Sequence, residues 1–217
     1  LALGVLEVAV VGDNPPIRVP YGEAIRDAFA QAGVDFDDFD PTGILGEVTE
    51  TDPGQVVWRP ILNPLGLPIE CRYQVPTAAV FDGGEGCWYD SGLVYFTCKA
   101  GNGVWADHWV DQTVQPIYDD DAYGGGEAPL RGGDNCVVFG PSRDLIVAED
   151  GSDMRISAIG LDGAVVPIMQ LVGQDDSEIT GPAFSPDGSR LYFSSQRGGR
   201  LGSGITYEMT GPFGEPR

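Results

Sequence analysis

Short hydrophobic runs alternate with polar, turn-forming residues along most of the chain. In AFSPDGSRLYFSS (residues 183–195) two apolar-alternating segments flank a four-residue turn. Pro186 fixes φ, the Asp187 side chain can accept a hydrogen bond from its own backbone, and Gly188 permits positive φ. This pattern predicts two antiparallel strands joined by a tight turn.

Three units of the second half repeat one layout, which begins with an acid and continues through a short strand, a turn and a hydrophobic strand. The units begin at Glu85, Asp134 and Glu178, and their hydrophobic strands are LVYFTC, LIVAED and LYFSSQ. Their spacing of about 45 residues is that of a β-propeller blade. The sequence therefore predicts an all-β propeller of four-stranded antiparallel blades over residues 80–217.

The first 79 residues do not show this repeat. They begin with LALGVLEVAVVGD, which is typical of the inside of a strand, and residues 22–32 carry apolar positions at helical spacing up to Gly33. Residues 34–76 are acidic and then proline-rich, as in an insertion. We expect residues 1–79 to form a partial blade with one short helix in an insertion, and the ring to lack its N-terminal blades.

Composition limits the class of protein. The chain has 217 residues, 32 glycines and 17 prolines, which suits many tight turns, and its longest apolar run is shorter than the roughly 18 residues of a membrane span. Its 33 acidic and 12 basic residues give a formal charge of −21, which disfavours nucleic acid and favours cations. Most of these acids are interpreted as a solvated surface.

Several common sites are disfavoured by the sequence. A single histidine, His108, and four cysteines without a CxxC pair argue against structural zinc and against a Ser-His-Asp triad. Cys87 and Cys98 flank a hairpin-like segment. They could form a disulfide across it or remain free thiols, and the sequence allows both. The acidic run at residues 35–40 lacks the glycine and glutamate of a calcium-binding EF-hand loop.

The acids that begin the three units have a common predicted location. If each unit is a blade, Glu85, Asp134 and Glu178 converge at one end of the central channel. Converging carboxylates repel one another, and a hard cation with oxygen ligands relieves this repulsion. Glu149 and Asp150, in VAEDG, end a strand nearby and are further candidate ligands. The alternative is that VAEDG only forms a charged turn. We give the two interpretations equal weight for Asp150 and favour the ligand role for Glu149.

The motifs of residues 80–213 also resemble a known family. The segments GGEGCWYDSGLVYFTCKAGNGVWA, VAEDG and SEITGPAFSPDGSRLYFSSQRGG occur in the order found in the C-terminal part of bacterial PhoX-like proteins. These are secreted β-propeller proteins that include calcium-dependent alkaline phosphatases. The resemblance implies calcium, and iron in addition, with Glu85, Glu149 and Glu178 as metal ligands and Asp134 as a further one.

The resemblance also implies what else the activity needs. The family's cysteine-and-acid motif, which supplies the iron-binding thiolate, is absent here, so we expect it on an N-terminal polypeptide of the same precursor. The implied reaction is hydrolysis of a phosphate ester by a secreted, periplasmic or cell-surface protein. Arg197 is the candidate clamp for the phosphate, whereas Lys99 is interpreted as a solvated strand-end cation. The alternative is a calcium-stabilised structural or interaction propeller without catalysis.

Overall fold

The computed structural model describes residues 44–48, 54–61, 63–101, 103–123, 128–151, 153–211 and 213. Within these ranges the chain is almost entirely β-structure. The elements in chain order are β1 (Ile44–Val48), β2 (Val56–Pro60), α1 (Cys71–Gln74), β3 (Gly84–Asp90), β4 (Leu93–Cys98), β5 (Gly103–His108), β6 (Thr113–Asp119), β7 (Gly133–Val138), β8 (Leu145–Glu149), β9 (Arg155–Ile159), β10 (Val165–Gln170), β11 (Ile179–Phe184), β12 (Arg190–Ser195) and β13 (Ile205–Thr210).

Each sheet is an antiparallel meander in which neighbours in sequence are neighbours in space. The first sheet has the order β3-β4-β5-β6, the second β10-β9-β8-β7, and the third β11-β12-β13. A separate two-stranded sheet contains β1 and β2. The three repeated units of the sequence are therefore three consecutive sheets, as predicted.

The turn between β11 and β12 forms as the sequence predicts. The Asp187 carboxylate accepts hydrogen bonds from the Ser189 amide at 3.1 Å and from the Ser185 hydroxyl at 2.6 Å. Gly188 has a φ of +70°, a value that side-chain-bearing residues rarely adopt. The Ser185 amide then donates to the Arg190 carbonyl at 2.9 Å, which begins the ladder between the two strands.

The second sheet packs between the other two. Every residue of β8 is buried, because its alternate side chains face opposite neighbours. Ile146 and Ala148 lie in a core with Ile179 and other residues of the third sheet. Leu145 and Val147 lie in a second core with Tyr95 and other residues of the first sheet.

The first strands of consecutive sheets also contact one another, β3 with β7 and β7 with β11. Four-stranded meanders stacked face to face, with their first strands adjacent, are the blades of a β-propeller. The predicted fold class is confirmed, and the third sheet has three strands within the described residues.

The remaining face of the first sheet is covered by the two-stranded sheet. Val56 and Trp58 of β2 pack with Phe96 and Val114. An isolated bridge between Gln55 and Thr113 continues this contact at the backbone. The division of the chain at residue 79 remains a prediction.

Within the described residues the α-helix is α1, one turn in the proline-rich segment, and two short 3-10 helices span Asp120–Tyr123 and Arg200–Gly202. The helix predicted at residues 22–32 and the acidic run at 35–40 lie outside the described residues. No helix in the described part of the chain has the length and apolar character needed to cross a bilayer.

The tryptophans of the first sheet differ in their burial. Trp105 is partly buried and meets Phe81 and Phe96 ring to ring. Trp88 and Trp109, in contrast, are 41% and 50% exposed. Trp88 lies within β3, the edge strand of the first sheet, and Trp109 lies in the turn that follows β5.

Candidate metal centre

One backbone contact recurs at the same edge of all three sheets. In each sheet the residue that follows the second strand donates its amide to the carbonyl of the residue that precedes the first strand: Lys99 to Gly83 at 2.7 Å, Asp150 to Gly132 at 3.1 Å, and Gln196 to Glu178 at 2.8 Å. Antiparallel pairing brings the start of one strand and the end of the next to the same edge. This edge therefore collects charged side chains from three blades.

Three carboxylates converge at this edge. One oxygen from each of Asp134, Asp150 and Glu178, here called the acid group, lies within 4.8 Å of the others. Asp134 is the second residue of β7 and is 4% exposed, while Asp150 and Glu178 are half-buried. An isolated antiparallel bridge joins the backbones of Asp150 and Glu178 across the second and third sheets.

A β-bulge directs Asp134 toward this edge. The register of β7 on β8 shifts between Gly133 and Cys136, so that Asp134 and Asn135 together stand opposite one residue. Such a bulge turns a side chain out of the regular alternation. The Asn135 amide then donates to the Asp134 carboxylate, and its oxygen accepts from the Gly181 amide at 2.7 Å. Asp134 is thereby fixed between the second and third sheets.

Two cations flank the acid group. The Lys99 ammonium, from the first sheet, contacts Oδ2 of Asp150. The Arg197 guanidinium, from the third sheet, lies 3.5 Å from Oδ1 of Asp150 and 3.5 Å from Oε2 of Glu178. Three carboxylates and two cations leave one negative charge when all are ionised. Lys99 is therefore a member of this site rather than the solvated strand-end cation we expected.

Burial and mutual repulsion act on the protonation of the acid group. Desolvation raises the pKa of Asp134, and the charge of Glu85 raises it further. Desolvation also raises the pKa of Glu178, with the charge of Asp134 as the second cause. Lys99 acts in the opposite direction on both. An added cation would stabilise these carboxylates, because it would offset both the desolvation and the repulsion that raise the two pKa values.

Glu149 does not join the acid group. Its side chain is fully buried, and its two oxygens accept backbone hydrogen bonds from Arg131 at 2.9 Å and Arg155 at 2.8 Å. Glu149 and Asp150 are consecutive residues in extended backbone, so their side chains point to opposite faces. Only one of them can face the site, and the structure places Asp150 there. We expected Glu149 to be a metal ligand. Its carboxylate instead acts as an internal brace, which holds the backbone before β7 to the start of β9.

Glu85 lies near the acid group without entering it. Its side chain is exposed, and it follows Gly84 in β3 as Asp134 follows Gly133 in β7. The expectation that each acid precedes its first strand holds for Glu178 alone, since Glu85 and Asp134 are inside their strands. The structure thus brings together Asp134, Asp150, Glu178 and Arg197 of the predicted site residues, and adds Lys99.

Burial disfavours three of the four cysteine thiols as ligands for iron. None of the four cysteines forms a disulfide, and Cys87 stands opposite Phe96 rather than Cys98. Burial raises the pKa of Cys87 and Cys98 to about 11 and that of Cys136 to about 12. Burial therefore disfavours the thiolate, which is the form that binds iron, at these three positions.

No protein-family model and no curated protein matches this chain. Solved structures do match it, among them a streptogramin B lyase, with 20% identity over 62% of this chain and a TM-score of 0.44. A luciferin-regenerating enzyme matches 82% of this chain with 16% identity and a TM-score of 0.46. The chain spans 43% and 56% of the length of these two structures. Likeness at this level carries no argument about activity or ligand.

Proposed function

We propose that this chain is part of a PhoX-like metal-dependent phosphoester hydrolase and that the acid group binds calcium. The observation that carries the proposal is the convergence of Asp134, Asp150 and Glu178 within 4.8 Å, with cations on two sides. Carboxylates supply the negative charge for a metal, and the flanking cations suit the oxygens of a phosphate. The motif resemblance in residues 80–213 points to the same chemistry.

The donor set fits calcium. Calcium takes about six to eight oxygen ligands in flexible geometry. Asp134, Asp150 and Glu178 would supply the anionic oxygens, and burial together with repulsion already disfavours the ionised forms of Asp134 and Glu178. A bound cation would offset both effects, because it lowers the pKa of each neighbouring carboxyl group.

The donor set of the described residues does not fit iron. The acid group contains only carboxylates, and no cysteine thiol of the described residues joins it. We therefore confine the proposal for this chain to calcium. Any iron would depend on a further N-terminal polypeptide of the same precursor, which the proposed hydrolase would need for a complete active site.

When bound, the metal would neutralise phosphate charge and activate an oxygen nucleophile. The chain's own residues would position the substrate. The Arg197 guanidinium would clamp a non-bridging phosphate oxygen, since its planar fork matches such oxygens. The Arg197 amide donates to the Ser177 hydroxyl at 2.8 Å, and its Nε donates to the Asp176 carbonyl at 3.0 Å. These contacts fix the base of the side chain and leave its tip beside the acid group.

The proposed setting is secreted, periplasmic or on the cell surface of a bacterium. Millimolar calcium is available there to a site with only three charged ligands, and extracellular calcium modules bind at about 10⁻⁴–10⁻³ M. The formal charge of −21 is consistent with this setting, because it keeps the surface solvated and attracts cations.

Hydrolysis of p-nitrophenyl phosphate by the complete natural protein, at alkaline pH with calcium, tests the proposal. Arg197→Ala should reduce kcat by about 10²-fold, as expected for the loss of a charge-stabilising donor in the transition state. Arg190→Ala is the matched control, because that arginine pairs with Glu208 on the exposed part of the third sheet. Equal activity of both variants would contradict a role for Arg197 in the reaction.

A calcium-stabilised propeller without catalysis is the second candidate. It is favoured by one observation: Lys99, Asp150 and Glu178 come from the first, second and third sheets, so their contacts also tie three blades together. Phosphomonoesters, phosphodiesters and phosphonates should then all remain unhydrolysed by the complete calcium-loaded protein. Turnover of any of them would exclude this candidate.

A further inference from the structure

Lys99 and Arg197 use both oxygens of one carboxylate. Lys99 contacts Oδ2 of Asp150, and Nη2 of Arg197 lies 3.5 Å from its Oδ1. Asp150 belongs to the second sheet, while the two cations reach it from the first and third sheets. The Asp150 carboxylate is therefore enclosed by cations from both neighbouring blades.

Both cations can leave this position without breaking the fold. The side chains of Lys99 and Arg197 are 37% and 45% exposed, so each can turn into solvent. The two Arg197 contacts with the acid group, at 3.5 Å, are long for charge-assisted hydrogen bonds. The Arg197 backbone, in contrast, is tied to Ser177, whose hydroxyl is 2.7 Å from that of buried Ser195. The Nε of Arg197 also donates to the Asp176 carbonyl at 3.0 Å and its Nη1 contacts the Gln196 side chain. Only the two long contacts with the acid group have to break when the guanidinium turns away from it.

A divalent cation bound by the acid group would need the same oxygens. Its two positive charges would also repel the ammonium of Lys99 and the guanidinium of Arg197 at distances of a few ångströms. Metal and tethered cations therefore compete for Asp150. Once displaced, two cations from opposite sides would stand beside a bound metal without a carboxylate partner.

We propose that a divalent cation displaces Lys99 and Arg197 from the acid group and that the two released side chains then bind a tetrahedral oxyanion such as phosphate. The cation and the anion would bind cooperatively, because each relieves the electrostatic cost of the other. This inference rests on the calcium site proposed above. It assigns Lys99 two roles, as the counter-ion of the acid group without metal and as an anion ligand with metal.

Thermodynamic linkage makes the coupling measurable from either ligand. If phosphate raises calcium affinity by some factor, calcium raises phosphate affinity by the same factor. We expect a factor of about 10, within the usual range of couplings between sites. The effect needs no enzymatic turnover, so it can be measured without substrate.

Calorimetric titration of the full chain with calcium chloride, with and without inorganic phosphate, tests the proposal. Phosphate is kept below the concentration at which calcium phosphate scatters light. The variants are Lys99→Met and Lys99→Gln, and the matched control is Arg190→Gln, which removes a positive charge from the exposed pair with Glu208. Circular dichroism and a melting curve identify a variant that does not fold, and the other Lys99 variant then replaces it.

The expected result has two parts. Phosphate strengthens calcium binding about tenfold in the wild type and in Arg190→Gln, and much less in the Lys99 variants. Without phosphate, the Lys99 variants bind calcium more tightly than the wild type, because the competing ammonium is gone.

Two results would overturn the inference while leaving the calcium site in place. One is calcium binding that is unchanged by phosphate, and the other is weaker calcium binding in the Lys99 variants, which would make Lys99 a support of the site rather than a competitor. Absence of calcium binding in the wild type would instead remove the proposed calcium site, and this inference with it.

Discussion

Glu149 and Asp150 show that adjacent residues of one type can have unrelated roles. Glu149 is fully buried and accepts two backbone hydrogen bonds, whereas Asp150 faces two cations at the edge of the sheets. The motif VAEDG predicts two acids at the end of a strand and a site nearby. It does not predict which acid faces the site, because that depends on the phase of the side-chain alternation at the last residue of the ladder.

The assignment of Glu149 as a brace gives the first prediction. Glu149→Gln places an amide nitrogen against one of two backbone donors, and a buried donor without an acceptor costs about 1–3 kcal/mol. Denaturant unfolding should show this loss, while Glu208→Gln on the exposed face should have little effect. Calcium affinity should be unchanged in Glu149→Gln; a large loss of affinity would restore Glu149 as a ligand.

Asp107 of β5 gives a second prediction, on pH. It is 8% exposed, one of its oxygens has no hydrogen-bond partner, and desolvation raises its pKa. A carboxyl group with a raised folded pKa destabilises the fold when ionised, and this penalty disappears as the pH falls through the folded pKa toward the ordinary value. Asp107→Asn should therefore raise the melting temperature at pH 7 and lose this advantage on acidification. An advantage that is equal at pH 4 and pH 7 would contradict the assignment.

At the scale of elements, the strands and turns were predictable, and the bulge that positions Asp134 was not. Strands such as LVYFTC and turns such as SPDG are encoded locally, so the sequence predicts them. The bulges of β3 and β11 contain Gly86 and Gly181, and a glycine inside a strand is a known sign of a bulge. The bulge of β7 consists of Asp134 and Asn135 and carries no such sign. For this reason Asp134 was expected before its strand and lies inside it.

Gly86 tests how closely the first strands of two blades must approach. A Cβ at this position would lie 2.4 Å from the Asp134 carbonyl oxygen and 2.8 Å from the Cys136 amide nitrogen, so β3 and β7 would have to separate. Gly86→Ala should therefore destabilise the protein by about 1–3 kcal/mol, as overpacking does. The matched control is Gly140→Ala, where no atom lies within 4 Å of the added carbon. Equal unfolding midpoints for the two variants would contradict the packing described here.

At the scale of the whole molecule, the repeat predicted the blades, and the blades brought distant residues together. Lys99, Asp134 and Glu178 are far apart in sequence, and their meeting follows from the common edge of three sheets. From the sequence, Lys99 is nevertheless interpreted as a solvated cation, whereas in the structure it contacts Asp150. The comparison of YFTCK with VAED would have placed it at the position equivalent to Asp150, but the charge of opposite sign concealed the equivalence.

The central claim is that Asp134, Asp150 and Glu178 bind a hard divalent cation. Calorimetric unfolding in calcium and in EDTA tests it most directly, because a ligand at a hundredfold excess over its Kd adds about 2.7 kcal/mol to the stability of the native state. The account predicts that calcium raises the melting temperature of the wild type and of the charge-matched control Asp162→Asn, and that this increase is largely lost in Glu178→Gln. Equal melting temperatures of the wild type in calcium and in EDTA would contradict it.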